Sequence, residues 1–166
     1  MRTYIRSNVN PLNLPKLFFA GRACLTFRNT EKGTHMTVKV KQAKDKTDRK
    51  KKLPIFFVTV SLLGDSETGH IFAATIFRET MTIKLSPRAK ETPQLSAVVG
   101  FIWNAIQKPE ILNTRKVALL HEGRCCRCGL PLTHPESITS GLGPECIKSV
   151  LGSGVGLSAE ELFIRI

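Results

Sequence analysis

The chain has 166 residues, a net charge of +12 and a hydrophobic fraction of 42%. This length suits one compact domain with a small appendage, and the apolar content argues against a wholly disordered chain. No apolar run reaches the roughly 18 residues needed to cross a bilayer, and the N-terminal apolar patch is interrupted by Arg22 and lacks a signal-peptide pattern. We therefore expect a cytoplasmic protein with no membrane partner.

The positive charge is concentrated in the first third of the chain. Residues 1–52 hold 14 Lys and Arg against 3 Asp and Glu, a net of +11, whereas residues 53–166 hold 11 against 10. The densest part, here called the basic arm, consists of Lys41, Lys44, Lys46, Arg49, Lys50, Lys51 and Lys52. Such a cluster attracts polyanions through counterion release, so we expect contact with nucleic acid or an acidic protein face. The alternative is a solvated loop that only aids solubility.

The first two thirds of the chain have the composition of β-strands. Alternation of apolar and polar residues at 36–40 and a run of β-branched and aromatic residues from Leu53 are typical of strands. Strands are predicted over residues 17–28, 35–40, 53–62, 70–77 and 80–85, with turns at 29–33 and 64–69. These strands form an antiparallel meander of four or five strands, and the basic arm lies at a hairpin tip.

A helix is predicted over about residues 93–107. Thr92 can cap it and Pro93 occupies the first position, where proline is favoured. Its apolar stripe comprises Leu95, Val98, Val99, Ile102, Trp103 and Ile106. We expect the stripe to pack on the sheet, and we favour core packing of Trp103 over stacking on a base. A last strand is predicted at 117–120.

The predicted fold class is α+β: an antiparallel β-meander with one packed helix, then a small zinc module and a short C-terminal helix. The corresponding segments are 1–120 for the basic β-rich domain, 121–150 for the zinc module, and 151–166 for a linker and the final helix. A capping box at Ser158–Glu161 marks the start of that helix.

Three of the five cysteines have the spacing of a zinc site. Cys125 and Cys128 flank two residues, Gly129 suits the tight knuckle, and Cys146 returns after a gap typical of tetrahedral sites. An odd number of cysteines without a signal peptide argues against a disulfide framework. We therefore predict one structural Zn²⁺, whereas Cys24 lies in an apolar stretch and is expected to be buried.

The fourth ligand has several candidates. His121 stands four residues before Cys125 and is favoured, His134 lies within the loop, and Cys126 is adjacent to a ligand and therefore points away from it. Water is a further possibility. The predicted metal ligands are thus His121, Cys125, Cys128 and Cys146.

The segment also carries the pattern H-x-G-x-C-x2-C-G, followed by L-T-x-P-E-S and by G-x-G-P-x-C. The matching residues are His121, Gly123, Cys125, Cys128, Gly129, Leu132, Pro135, Glu136, Ser137, Gly141, Gly143, Pro144 and Cys146. This pattern resembles an uncharacterised zinc-module family, a domain of unknown function found mostly in phage and prophage proteins. The resemblance implies an origin in a phage or another mobile element and gives no established activity. His134 takes a variable position of the pattern, which is a further reason for preferring His121.

The sequence does not favour an enzyme. A catalytic zinc keeps an open position beside a suitably placed base, and neither a protease or deaminase spacing nor a phosphate-binding loop is present. We expect a small, basic, phage-type zinc protein that binds nucleic acid non-enzymatically. The alternative is a phage accessory protein that binds and inhibits a host protein, such as a nuclease-based defence complex.

Overall fold

One antiparallel sheet of seven strands forms the centre of the computed structural model, which describes residues 7–61 and 69–151. The strands are β1 (Ser7–Val9), β2 (Arg22–Asn29), β3 (His35–Lys44), β4 (Lys52–Ser61), β5 (Ile71–Phe77), β6 (Thr82–Leu85) and β7 (Val117–His121). Their order is β1-β7-β2-β3-β4-β5-β6, so the meander β2–β6 continues on one side into β7 and β1.

Six helices accompany this sheet in the described part of the chain. They are α1 (Leu14–Phe18), α2 (Pro87–Glu91), α3 (Pro93–Gln107), α4 (Ile111–Thr114), α5 (Pro135–Ser140) and α6 (Pro144–Leu151), and a 3-10 turn, Pro11–Asn13, precedes α1. The fold is α+β, as predicted. Among the described helices, none combines the length and apolar character that crossing a bilayer demands.

The core lies between one face of the sheet and helices α1, α2 and α3. Alternate residues of β2, β3 and β4 point into it, among them Leu25, Val38 and Phe56, and all three are fully buried. The α3 stripe supplies Leu95 and Ile102 to the same cluster. Burial of a Leu, Ile or Phe side chain stabilises by about 1.5–3 kcal/mol, so this face holds the helices in place.

The bounds of α3 agree with the sequence prediction, and Trp103 is half-buried against the core. Thr92 takes the N-cap position, but its side chain makes no capping hydrogen bond. Pro93 therefore sets the start of the helix through its fixed φ angle.

Several predicted strand bounds were wrong. Leu17 and Phe18 belong to α1 and not to a strand from residue 17; both are buried, and their all-apolar run has no alternation to distinguish strand from helix. Strand β3 continues beyond Val40 to Lys44, because Lys41 and Gln42 keep pairing with β4. Strand β6 starts at Thr82, since Met81 has a positive φ of 48° in the turn before it.

Strand β1, helix α2 and the position of β7 were not predicted. Residues 62–68 and 152–166 lie outside the described residues, and with them the predicted loop before Gly69 and the C-terminal helix at Ser158–Glu161. Leu151 is the last described residue, at the end of α6.

Candidate metal centre and basic surfaces

The knuckle that carries the first two cysteines follows directly from β7. The Cys125 N–H donates to the Leu130 carbonyl at 2.8 Å, and the Leu132 N–H donates to the Gly123 carbonyl at 2.9 Å. Between them the chain reverses at Gly129, whose φ of +78° favours glycine. This tight reversal is what brings Cys125 and Cys128 to one side.

Two short helices bring the third cysteine, Cys146, back to the first two. Helix α5 ends at Ser140, and its C-cap Gly141 adopts the left-handed conformation with φ +77°. Three residues after Gly141, α6 begins at Pro144, so Cys146 lies in its first turn. Cys146 is thereby placed near the N-terminus of a helix.

The ligand atoms of Cys125, Cys128 and Cys146 all lie within 4.8 Å of one another. Tetrahedral zinc with Zn–S bonds of about 2.3 Å needs sulfurs roughly 3.8 Å apart, so a small inward adjustment accommodates an ion. Sulfur ligands suit soft or borderline metals rather than Mg²⁺ or Ca²⁺. The three cysteines therefore form a group that can hold a metal ion.

Electrostatics around Cys125 favour its thiolate. Burial acts to raise the pKa of Cys125, but backbone N–H groups, including those of Cys128, Gly143 and Arg127, lower it below its ordinary value. The Gly143 and Arg127 N–H groups donate to Cys125 Sγ at 3.3 and 3.4 Å. N–H groups aimed at sulfur stabilise the charged form that binds metal.

Cys146 shows the opposite tendency. Burial, followed by the neighbouring Cys128 and Cys125 sulfurs, raises the pKa of Cys146 to about 11. Closely spaced thiolates repel one another, and a bound cation removes that cost. Metal binding at this group should therefore release protons.

His121 does not join the three sulfurs. It is fully buried, its Nε2–H donates to the Ile138 carbonyl, and its Nδ1 accepts from the Gly123 N–H at 2.8 Å. Both ring nitrogens thus have backbone partners that tie β7 to α5 and to the knuckle. Burial, which outweighs the Ile138 hydrogen bond and the Glu122 charge, lowers the pKa of His121 and keeps the ring neutral.

His134 also stands outside the group of three whose ligand atoms lie within 4.8 Å of one another, but it lies nearby. It occupies the N-cap position of α5, although its side chain makes no capping hydrogen bond. It also lines a cavity of about 190 Å³ together with Cys125, Cys128 and Cys146. Cys126 is fully buried, and burial raises its pKa, which disfavours a thiolate there. Of the candidates that the sequence left open for the fourth ligand, His134 is the one that lines the cavity of the three cysteines.

The metal module is docked on the sheet. The Arg22 N–H donates to the Cys126 carbonyl at 2.7 Å, and the Thr26 hydroxyl donates to the buried Glu122 carboxylate. The Arg22 side chain packs so closely on Gly129 that a Cβ there would lie 3.1 Å from Arg22 Cδ. The knuckle therefore continues the surface of β2.

The basic arm occupies the tip of the β3–β4 hairpin, and all seven of its cationic side chains are exposed. Asp45 organises the turn: its carboxylate accepts from the Thr47 hydroxyl and N–H at 2.7 and 2.8 Å, which lowers the Asp45 pKa. The Asp45 N–H also donates to the Lys51 carbonyl. The tip of the arm thus has a hydrogen-bonded turn.

A second basic surface, the basic groove, lies on the sheet face opposite α3. Arg22, Lys39, Lys41, Phe57 and Arg124 line this groove of about 460 Å³. Cys24 lies there too and is only half-buried, so its predicted burial was wrong. The alternation Lys39-Val40-Lys41 in the sequence could have predicted this basic face, because side chains two residues apart in a strand lie on the same face.

A family model described as a family of unknown function (DUF6011) matches residues 119–151, which contain the three clustered cysteines. Comparisons with curated proteins and with solved structures found no match. The family match covers the metal module and not the rest of the chain, in keeping with the sequence resemblance to an uncharacterised domain.

Proposed function

We propose that this protein binds nucleic acid without enzymatic activity, through the basic arm, and that a structural Zn²⁺ holds its C-terminal module. The observation that carries the proposal is the arm itself: seven exposed cationic side chains on one hairpin tip. Phosphate backbones match such a surface because each neutralised phosphate releases condensed counterions.

The zinc part of the proposal rests on the donor set. Cys125, Cys128 and Cys146 supply three sulfurs, and His134 is the proposed fourth ligand because it lines the same cavity. Four protein ligands make a closed site, which is the form that structural zinc takes. When bound, the ion supplies cross-linking and charge neutralisation, and the knuckle residues position Arg124 and Gly129 beside β2.

The resemblance of residues 121–146 to phage and prophage modules supports an origin in a phage and action in the host cytoplasm. An acidic face of a host protein, such as a defence nuclease, is the alternative partner for the same arm. The salt dependence of binding separates the two, because phosphate contacts lose affinity steeply and predictably with salt.

The test replaces Lys50, Lys51 and Lys52 with Ser. All three are exposed, so the melting temperature should stay nearly unchanged. Affinity for nucleic acid should fall by a similar factor for all sequences, since phosphate contacts carry no base information. The slope of log affinity against log salt should become shallower by up to about 0.9 for each duplex phosphate that the variant no longer neutralises. Fluorescence anisotropy at several salt concentrations measures both quantities.

The matched control replaces Lys32, Lys90 and Lys108 with Ser. These lysines are also exposed, carry the same charge and lie outside the arm, so their removal should have a much smaller effect. Equal reductions in affinity from both triple variants would mean that net charge, and not the arm, drives binding. If the wild-type protein binds no nucleic acid at moderate salt but co-purifies with one host protein at high salt, the alternative partner replaces the proposal.

A further inference from the structure

The sheet face that carries the basic groove also exposes two aromatic rings. Phe57 and Phe72 have 40% and 44% of their surface exposed, and their ring centroids lie 6.2 Å apart. Both stand on adjacent strands, β4 and β5, on the face opposite the core. Exposed phenylalanines side by side in the middle of a sheet are costly to leave in water unless something covers them.

The cations of the groove lie on the β2 and β3 side of these rings. Lys41 pairs directly with Phe57 across β3 and β4, and Lys39 pairs with Thr59, which in turn pairs with Phe72. Arg22 pairs with Lys41 on the other side, across β2 and β3. Among the described residues that line the groove, none is acidic. The described lining of the groove therefore combines the Phe57 ring with charged side chains that are all cationic, and the Phe72 ring lies next to it.

We infer that the basic groove binds single-stranded nucleic acid, with bases stacked on Phe57 and Phe72 and phosphates held by Arg22, Lys39 and Lys41. This inference rests on the proposed function and names its substrate class. Every base has a π-face that stacks on an aromatic ring, and cations beside the rings hold the backbone. A duplex keeps the faces of its bases stacked on one another, so only an unpaired strand can use the rings.

The metal module forms one wall of this site. Arg124 and Gly129 of the knuckle line the groove, and Gly129 packs against Arg22. The basic arm begins where the groove ends, since Lys41 belongs to both surfaces and Lys52 Nζ lies near Gly21. A strand leaving the groove along β3 thus reaches the remaining cations of the arm.

The test compares one labelled oligonucleotide of about 12 nucleotides with its duplex. The variant Phe57→Ala/Phe72→Ala should weaken binding to the single strand about tenfold or more, because neither ring remains for a base to stack on. Duplex affinity and the salt slope should change little, because the cations remain. Leu12→Ala is the matched control: Leu12 is 47% exposed and does not line the groove, so binding should be unchanged.

A second variant, Phe57→Leu/Phe72→Leu, keeps the apolar cover and guards against a folding defect. Thermal melts by circular dichroism establish that each variant is folded, and the leucine variant should also bind the single strand more weakly. If both phenylalanine variants bind like the wild type while the Lys50/Lys51/Lys52 variant is impaired, the groove inference is overturned and the proposed function stands. If the wild type binds neither form, both are overturned.

Discussion

At the scale of single residues, the three cysteines differ in chemistry although they share one site. Cys125 receives N–H donors that favour its thiolate, whereas the pKa of Cys146 is raised to about 11 by burial and by its sulfur neighbours. A bound metal ion would suit both groups, because the Cys125 thiolate would donate an electron pair to it and Cys146 would lose its proton on binding.

The cysteine prediction uses Cys128→Ser with Cys24→Ser as its control. Removing one thiolate from the group should lower the metal content strongly, since serine is a poor ligand for zinc. Cys24 lies in the groove and outside the group, so its replacement should leave one zinc per chain. Elemental analysis of reduced protein measures the content. Zinc-free wild-type protein with intact thiols would contradict the assignment.

The two histidines should respond in different ways. His134→Ala should weaken zinc retention against a chelator and leave the stability of metal-free protein unchanged, because His134 is exposed. His121→Ala should destabilise even metal-free protein by on the order of 2–4 kcal/mol, since it removes a buried side chain together with its hydrogen bonds. Competition with a zinc indicator, together with urea unfolding in chelator, measures both.

The opposite result has a clear meaning. If His121→Ala folds normally without metal but fails to retain zinc, His121 is the ligand, as the sequence suggested. His121→Gln keeps a hydrogen-bonding side chain and provides the folded variant if the alanine form does not fold.

The pKa of His121 adds a pH dependence to the metal-free protein. Burial lowers this pKa in the folded state, so folding favours the neutral ring. The stability due to His121 is therefore fully present above the unfolded-state pKa of about 6.5 and is lost as the pH falls through the folded-state pKa. Urea midpoints across this range should fall with acidification, and His121→Gln should reduce that dependence.

At the scale of elements, the apolar stripe of helix α3 is the sequence pattern that most directly predicts packing in the core. Ile102 is almost completely buried against the sheet, whereas Asn104, two residues on, is exposed. Ile102→Ala should destabilise by about 2–5 kcal/mol because it leaves a cavity. Asn104→Ala should change stability by less than about 0.5 kcal/mol. Chemical denaturation compares the pair, and similar destabilisation by both would mean that α3 is not packed through this stripe.

The same helix shows why part of the fold is predictable. Proline at a helix start and apolar spacing of three and four residues are local signals, so the bounds of α3 follow from the sequence alone. The cysteine spacing is local in the same sense. An apolar pair such as Leu17 and Phe18 fits a buried helix as well as a buried strand, so it gives no local signal for either. Strand β1 pairs with β7, which is distant in sequence, so no neighbouring residue indicates that pairing.

His121 illustrates the same limit at the site. Its partners are the carbonyl of Ile138 and the N–H of Gly123, which are backbone groups present at any residue type. The sequence shows a histidine at ligand spacing but not the backbone that satisfies it. The groove was missed for a related reason: Arg22, Lys41 and Phe57 meet only through the register of three strands.

At the scale of the whole molecule, the metal module and the sheet form one continuous body. Strand β7 lies inside the sheet and the knuckle starts one residue after it, while α5 contacts β1. The segment 121–150 is nevertheless poor in large apolar side chains, so the proposed metal ion would supply much of its stability.

Chelation should therefore loosen the module before the sheet. The chain has one tryptophan, Trp103, and its place on α3 makes its fluorescence a reporter of the sheet and helix core. In excess chelator, hydrogen exchange should accelerate across residues 123–146 while Trp103 fluorescence stays native. Simultaneous change of both signals would show that the metal is needed for the whole fold. Binding to single strands should weaken too, because the knuckle is a wall of the groove.

The order β1-β7-β2 has a consequence for synthesis on the ribosome. Strands β2 to β6 can pair with one another as they emerge, but β1, made before them, has its neighbour in Val117–His121, which is made after all of them. Until then the outer edge of β2 is an open row of backbone donors and acceptors, the kind of edge that recruits other chains. The knuckle emerges directly behind β7. The open edge of β2 is therefore closed at the same stage of synthesis at which the first two clustered cysteines become available to a metal ion.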